Sequence, residues 1–353
     1  MAHSRENNNL WGHEGAEKIL LDSFNGGKLP HAWLITGPRG IGKATLAYRF
    51  AKFLLSNPTP DEGNSLFGDE ISLKSLEINE DSPTVSRVVS GSHADLMVLE
   101  PKEEEGKREI PIDDVRKLEH FLSLSPSESD WRMVVIDSVD DMNRNSANAL
   151  LKLLEEPPKK TVLLLVSHQP GKLLPTIRSR CRFLRLKPLD ETNVKKIVEA
   201  SDGIPNPIEA EFASLVSDGS PGFAMEIYNK NGYRIYGDMI EILSYMPELN
   251  LDSILKFASK FDKKEEAGNW RIATYMFGWF IASTIGIKVS GNQLPEFFDG
   301  ENALRQQILD NYPIDQLTNL WENLSHITSE SDGLNLDKKI ASIEMFGNLR
   351  QAV

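Results

Sequence analysis

Short apolar runs alternate with amphipathic stretches through the first half of the chain, the order expected of a parallel sheet covered by helices on both faces. Residues 32–36, 96–99, 133–136 and 162–167 are apolar runs of strand length and predict buried strands. Helical spacing follows two of them: Leu46, Ala47, Phe50 and Leu54 after the first, and Ala147, Leu150, Leu151 and Leu154 after the third. The latter pattern stops at Pro157-Pro158, because proline lacks the amide hydrogen and clashes with the preceding turn. Residues 56–90 are polar, rich in Pro, Gly, Asp and Ser, and predict an irregular or mobile insertion; the charged run 102–108 predicts an exposed loop. Beyond Leu186 strand signals stop. Helical patterns take over at 193–200 and again from Phe223, and a helical tail starts near Tyr233. In that tail Leu251, Ile254, Leu255 and Ala258 define one apolar face, and Leu317, Leu320, Trp321 and Leu324 another, with Pro313 at the entry of the second helix. The expected domains are an α/β core over 1–187, a small helical domain over 188–232 and an all-helical domain over 233–353.

A chain of 353 residues outgrows one ordinary core, which agrees with that division. With 40% hydrophobic and 26% charged residues, the composition is that of a globular protein. The longest uncharged stretch lies between Arg271 and Lys288, about 16 residues and short for a bilayer span, so it reads as a buried helix. Residues 1–9 are polar, without the apolar segment of a secretion signal, and a cytoplasmic place with no membrane partner is expected. The single cysteine, Cys181, and seven histidines without metal-type spacing argue against an internal disulfide and against a protein-held metal ion. A formal net charge of −13 confines any DNA contact to a local basic strip or to partners.

Chemistry enters directly after the first strand, in Gly37-Pro38-Arg39-Gly40-Ile41-Gly42-Lys43-Ala44-Thr45. Gly37, Gly40 and Gly42 let backbone amides turn inward around a phosphate, the following helix presents its positive end, and Lys43 would reach the β and γ oxygens. A Gly-rich turn with a surface lysine is the plainer reading, but strand, loop and helix fall in the order a phosphate loop requires. Ala44 stands where that pattern has the Ser or Thr that ligates magnesium; Thr45 comes one position, about 100° of helix rotation, too late. The third strand runs into Asp137, suited to hold magnesium through water. Ser138 follows it, where a carboxylate would orient the attacking water.

Three further segments extend the pattern: Gly91-Ser92-His93-Ala94-Asp95 ahead of the second strand, Asn148-Ala149-Leu150-Leu151-Lys152-Leu153-Leu154-Glu155-Glu156-Pro157-Pro158 after the third, and Pro175-Thr176-Ile177-Arg178-Ser179-Arg180-Cys181 after the fourth. With the loop, they make the chain resemble the bacterial AAA+ clamp-loader family, most of all its DNA polymerase III delta-prime branch, across residues 10–228. The resemblance implies an α/β AAA+ P-loop core with a parallel sheet flanked by helices, a small helical lid domain and an all-α C-terminal collar domain. It also implies that Arg180 reaches the ATP bound on a neighbouring subunit. A guanidinium there offsets the charge gathering on the γ-phosphate, an effect of about 10³ to 10⁵ in rate. Arg178 and Arg182 read as a solvated basic run, and Cys181 as a small packed hydrophobe. Ser167, ending the fourth strand, matches the polar sensor position of active members. Three positions depart from them: Ala44 for Ser or Thr, Ser138 for Glu, and Gly222 for an arginine that senses the γ-phosphate. The four-cysteine zinc module that many relatives carry near 56–90 is absent from the sequence.

What the resemblance implies is a stator, a delta-prime-like subunit of the DNA polymerase III clamp-loader complex. It would assemble as a hetero-oligomer with gamma/tau and delta subunits and serve sliding-clamp loading on primed DNA in replication. Arg180 would act catalytically in trans. Gly37, Gly40, Gly42, Lys43, Ala44, Thr45, Asp137 and Ser167 are the candidate nucleotide contacts. ATP or ADP is expected to be held weakly or vestigially, magnesium is not secured because Ala44 offers it no hydroxyl, and zinc is not expected. As one subunit of a DNA-directed DNA polymerase holoenzyme, the isolated chain is not expected to hydrolyse ATP. A self-sufficient gamma/tau-like ATPase is the main rival and would need Thr45, Asp140 or Asp141 to replace the missing groups. A phosphate-loop kinase ranks last, because no substrate lid is evident and the helical tail would go unexplained.

Overall fold

The computed structural model describes residues 3–58, 73–104, 107–201, 206–262, 267–334 and 338–350. Two compact units divide the chain: Met1–Asn193 with Gly219–Gly222, and Val194–Asp218 with Phe223–Val353.

In chain order the first unit contains α1 (Glu14–Asn25), β1 (Ala32–Thr36), α2 (Lys43–Ser56), α3 (Pro83–Ser90), β2 (Leu96–Leu99), β3 (Lys102–Glu104), β4 (Lys107–Glu109), α4 (Ile112–Ser123), β5 (Arg132–Asp137), α5 (Arg144–Glu155), β6 (Thr161–Ser167), α6 (Pro175–Arg178) and β7 (Arg182–Arg185). Five of the strands form one parallel sheet in the order β2-β5-β6-β1-β7. Every residue of β1 and of β6 is buried, as continuous Val, Leu and Ile runs require of strands covered on both faces. Helices α4 and α5 bring Val115, Leu118, Leu150 and Leu154 into one core with Val134, Ile136, Leu163 and Leu165. Each such leucine contributes about 2 kcal/mol by leaving water. Asn143 starts α5 by accepting hydrogen bonds from the amides of Asn145 and Ser146, and the helix stops at Glu155, ahead of the two prolines.

The Gly91-to-Asp95 segment has a structural part. Asp95 is fully buried and accepts the amide hydrogens of Ser127, Glu128 and Ser129 at 2.8, 2.7 and 2.9 Å, pinning the turn that feeds β5. Burial pushes its carboxyl up, but those three donors and Arg132 prevail and hold it below the usual range.

The four predicted strands lie where the apolar runs put them, but β2 is only partly buried, with Leu99 alone fully covered, and two other readings are corrected. The 102–108 run is no simple loop, since β3 and β4 pair antiparallel there. Within 56–90, Ser82 caps α3 by accepting from the Val85 amide, with Pro83 in the first turn, while residues 59–72 of that stretch lie outside the described residues. Arg182 is exposed, as a solvated basic residue should be, and it opens an edge strand, β7; of its four residues Leu184 alone is buried.

The second unit is helical, built from α7 (Glu191–Glu199), α8 (Pro207–Val216), α9 (Pro221–Asn229), α10 (Gly232–Leu243), α11 (Leu251–Ser259), α12 (Ala267–Ser290), α13 (Glu301–Asn311), α14 (Ile314–Leu334) and α15 (Lys338–Arg350), with the first residues of α7 and α9 counted in the first unit. By length and composition Gly268–Ser290 could cross a membrane. In this unit it buries Trp270, Ile272, Met276, Phe277, Phe280 and Ile281 against neighbouring helices, as a core helix does. Beside it the buried Arg305 donates to the Ser283 and Thr284 hydroxyls, each at 2.8 Å, and to Glu301 at 3.0 Å, so its charge meets a carboxylate. Two apolar faces differ from expectation. On α11 Leu251 is exposed, and Phe257 takes its place beside Ile254 and Ala258; on α14 Trp321 is exposed while Leu317, Leu320 and Leu324 are buried.

Candidate functional site

The carboxyl ends of β1, β5 and β6 meet at one edge of the sheet. Thr36 stands opposite Ser167 and Asp137 opposite Val166, so the residues that follow these strands converge there. The chain leaves β1 through Gly37, where a side chain is impossible: a Cβ would sit 2.6 Å from the Leu186 carbonyl oxygen. Gly42, at φ +100°, then turns the backbone into α2, whose first amides have no partner within the helix and face the loop.

Lys43 is 3% exposed, and its ammonium donates to the carbonyls of Gly37, at 2.7 Å, and Pro38. Burial lowers its pKa to about 8, against the pull of Asp137 and Asp140 and with a smaller push from Arg39. The next three carbonyls are also met. Ser220 Oγ donates to Arg39 at 2.8 Å, the Gly222 amide to Gly40 at 2.9 Å, and His13 Nε2 to Ile41 at 2.7 Å. Gly222 approaches so closely that a Cβ on it would lie 2.9 Å from the Gly40 Cα, which leaves no room at this position for an arginine as the backbone now runs.

Asp137 ends β5 with its carboxyl pushed above the ordinary range, first by burial and then by Glu100, with Lys43 opposing. Ser138 donates to Asp141 at 2.7 Å. Asp140 accepts from Ser167 Oγ at 2.9 Å, from the His168 amide at 2.5 Å and from the Gln169 amide at 3.1 Å. Both acids that could have replaced a glutamate at 138 are thereby committed to the strand ends, and the Ser167 hydroxyl is turned to Asp140. His168 is lowered to about 4, mainly by burial and next by Lys43, and is neutral at pH 7. Ala44 is half-buried and Thr45 buried at the start of α2. The edge thus offers an anion cradle with the buried cation Lys43, without a magnesium hydroxyl at 44 or a carboxylate at 138.

None of the hydrogen-bond partners of Arg180 belongs to this cradle. The guanidinium donates to Glu155 Oε1 at 2.7 Å and to the Thr176 carbonyl at 3.0 Å, with a long contact of 3.5 Å to Ser179 Oγ. Neighbouring Cys181 packs against the sheet core, and burial pushes its thiol up to about 12, which makes it a packed group and not a nucleophile. His13 had no signal in the sequence, and the segments that contain Glu155 and Ser220 did not single those residues out, because each acts through one backbone or surface contact that no spacing rule marks.

A family model described as DNA polymerase III, delta subunit, matches residues 12–190. A DNA polymerase III subunit delta' from Pseudomonas aeruginosa is 33% identical over 259 residues, covering 73% of this chain and 71% of that protein. A subunit delta' from Bacillus subtilis is 32% identical over 54% of this chain and 52% of its own length, and a subunit gamma from Buchnera aphidicola 29% identical over 60% and 53%. The chain therefore spans about half the length of those last two relatives. Among solved structures, a DNA polymerase III gamma subunit-related protein from Thermotoga maritima aligns with 94% of this chain and 99% of its own at 17% identity and a TM-score of 0.41, too low to carry weight.

Proposed function

The chain belongs to the DNA polymerase III delta-subunit family of clamp-loader proteins, and on that premise we propose that it is a non-hydrolysing, delta-prime-type stator whose Arg180 completes the ATP site of a neighbouring subunit. The observation that carries this reading is the contrast between Lys43, engaged with carbonyls of its own loop, and Arg180, held at the surface by a half-exposed glutamate. A guanidinium at a neighbour's γ-phosphate would stabilise the charge of phosphoryl transfer. The partners in this proposal are gamma/tau and delta subunits in a hetero-oligomer that acts on the sliding clamp and primed DNA in the cytoplasm. The parts are a core over 1–187, a lid over 188–232 and a collar over 233–353.

Nucleotide fits the loop only by exchange. Phosphate oxygens would have to replace the Gly37 and Pro38 carbonyls at Lys43, so ATP or ADP would be held weakly by Gly37, Gly40, Gly42, Lys43, Ala44 and Thr45. Magnesium fits poorly, since Ala44 supplies no side-chain oxygen and Ser138 is tied to Asp141, which leaves the Asp137 carboxylate to hold it. Arg180→Ala tests the proposal in the assembled complex. Fold and assembly are expected to persist while the dependent ATP site slows by about 10³-fold or more. Unchanged turnover would remove the trans role.

A gamma/tau-like ATPase is the second reading, favoured by the intact strand-loop-helix order and by the gamma relative. It requires a catalytic carboxylate free at the loop, and the hydrogen bonds of Asp140 and Asp141 weigh against it.

A further inference from the structure

Arg180 is a long, flexible side chain, yet it is held in one place. We propose that Glu155 is its positioning residue: it presets the guanidinium at the surface and cedes it to the γ-phosphate of the neighbour's nucleotide. This rests on the trans-arginine reading of Arg180. Glu155 is the last residue of α5, so a helix anchored in the sheet core fixes where the carboxylate stands. A carboxylate at the negative end of a helix is unfavourable on its own, and the Arg180 guanidinium at 2.7 Å is the cation that offsets it. The Thr176 carbonyl at 3.0 Å supplies a second anchor, so two acceptors orient the guanidinium and its other N–H groups stay available to an oxyanion.

The pair is built to exchange. The Arg180 side chain is 35% exposed and that of Glu155 49%, so solvent screens their attraction, and a γ-phosphate of higher charge competes well for the same donors. An arginine already ordered near its working place loses less freedom on engaging the phosphate, which is a gain in turnover and not in the neighbour's affinity for ATP.

The test is ATP turnover by the complex assembled with gamma/tau and delta subunits, using Glu155→Ala, Glu155→Gln, Arg180→Ala and the double variant Glu155→Ala with Arg180→Ala. Glu155→Ala is expected to lower kcat by on the order of tenfold with KM for ATP unchanged. Glu155→Gln, whose amide oxygen still accepts, should keep most of the activity, and the double variant should be no slower than Arg180→Ala alone. Melting of the free chain accompanies each variant. Glu155→Lys, which repels the guanidinium without shortening the side chain, should give the same loss if Glu155→Ala folds poorly. Wild-type or raised kcat in Glu155→Ala, with Arg180→Ala slow, would overturn the positioning role alone. A further loss from Glu155→Ala in the Arg180→Ala background would also overturn it, because Glu155 would then act by another route. Unchanged turnover in Arg180→Ala would overturn the trans-arginine reading itself.

Discussion

At the loop site the carbonyls of Gly37, Pro38, Arg39, Gly40 and Ile41 are each met by a donor of the same chain, and Lys43 is one of those donors. At the Arg180 corner the guanidinium rests on a half-exposed glutamate, one carbonyl and a distant serine hydroxyl. The two regions belong to one sheet and one folding unit, but they hold their charges differently. A ligand at the loop must displace the part-buried contacts of Lys43 with the Gly37 and Pro38 carbonyls. A ligand at the corner has only to outbid a screened surface pair, worth about 0–1 kcal/mol. The difference teaches that a chain of this family can turn its own phosphate loop into structure while keeping a cation at its surface.

The largest expected effect lies at the corner. Arg180→Lys keeps the charge but not the planar fork, so the dependent ATP site should remain at least about 10²-fold slow in single-turnover measurements on the assembled complex. A lysine that restored the wild-type rate would reduce the corner to a bare charge. At the loop, effects should appear in stability. Asp140→Ala leaves the Ser167 hydroxyl and two amides without their acceptor and is expected to cost about 2–4 kcal/mol in denaturant unfolding. Intact stability with lost turnover would instead make Asp140 the missing acid. Gly222→Ala drives a Cβ to 2.9 Å from the Gly40 Cα and should cost about 1–3 kcal/mol. No cost would mean that the loop yields readily and is open to ligand.

A last effect is a pH dependence. His168 has a folded pKa of about 4 against 6.5 for the free side chain, so between those values the unfolded chain takes up a proton that the folded one refuses. Its share of stability is complete above pH 6.5, falls as the pH drops toward 4 and changes no further below. His168→Gln should flatten the stability curve in that window. An equal slope in both proteins would show that His168 is not held neutral at the loop.

The centre of the sheet was legible because β1, β5 and β6 are buried almost throughout. Runs such as Leu163-Leu164-Leu165 are long enough to exclude other readings, and proline marked the end of α5. Strand β7 was not legible, since one buried residue, Leu184, among exposed Arg182, Phe183 and Arg185 makes no apolar run. Helices α1 and α4 also went unseen, their buried residues being spaced among charged ones. On α11 and α14 periodicity located the helices but could not say which edge of each stripe faces neighbours, hence the exposed Leu251 and Trp321. At the site, the sequence pattern made Lys43 and Asp137 candidates through the order of loop and strand end, and Arg180 one through the family resemblance of its segment. It could not disclose that Lys43 binds its own loop or that Glu155 holds Arg180, because both depend on contacts between segments that no local pattern encodes.

ATP turnover by the purified chain alone, set beside the assembled complex, bears most directly on the stator reading. The expected result is no hydrolysis by the chain in isolation, with or without magnesium, and hydrolysis by the complex that depends on Arg180. Turnover by the isolated chain at the rate of an active clamp-loader ATPase would contradict it and place the chain among the gamma/tau-like motors.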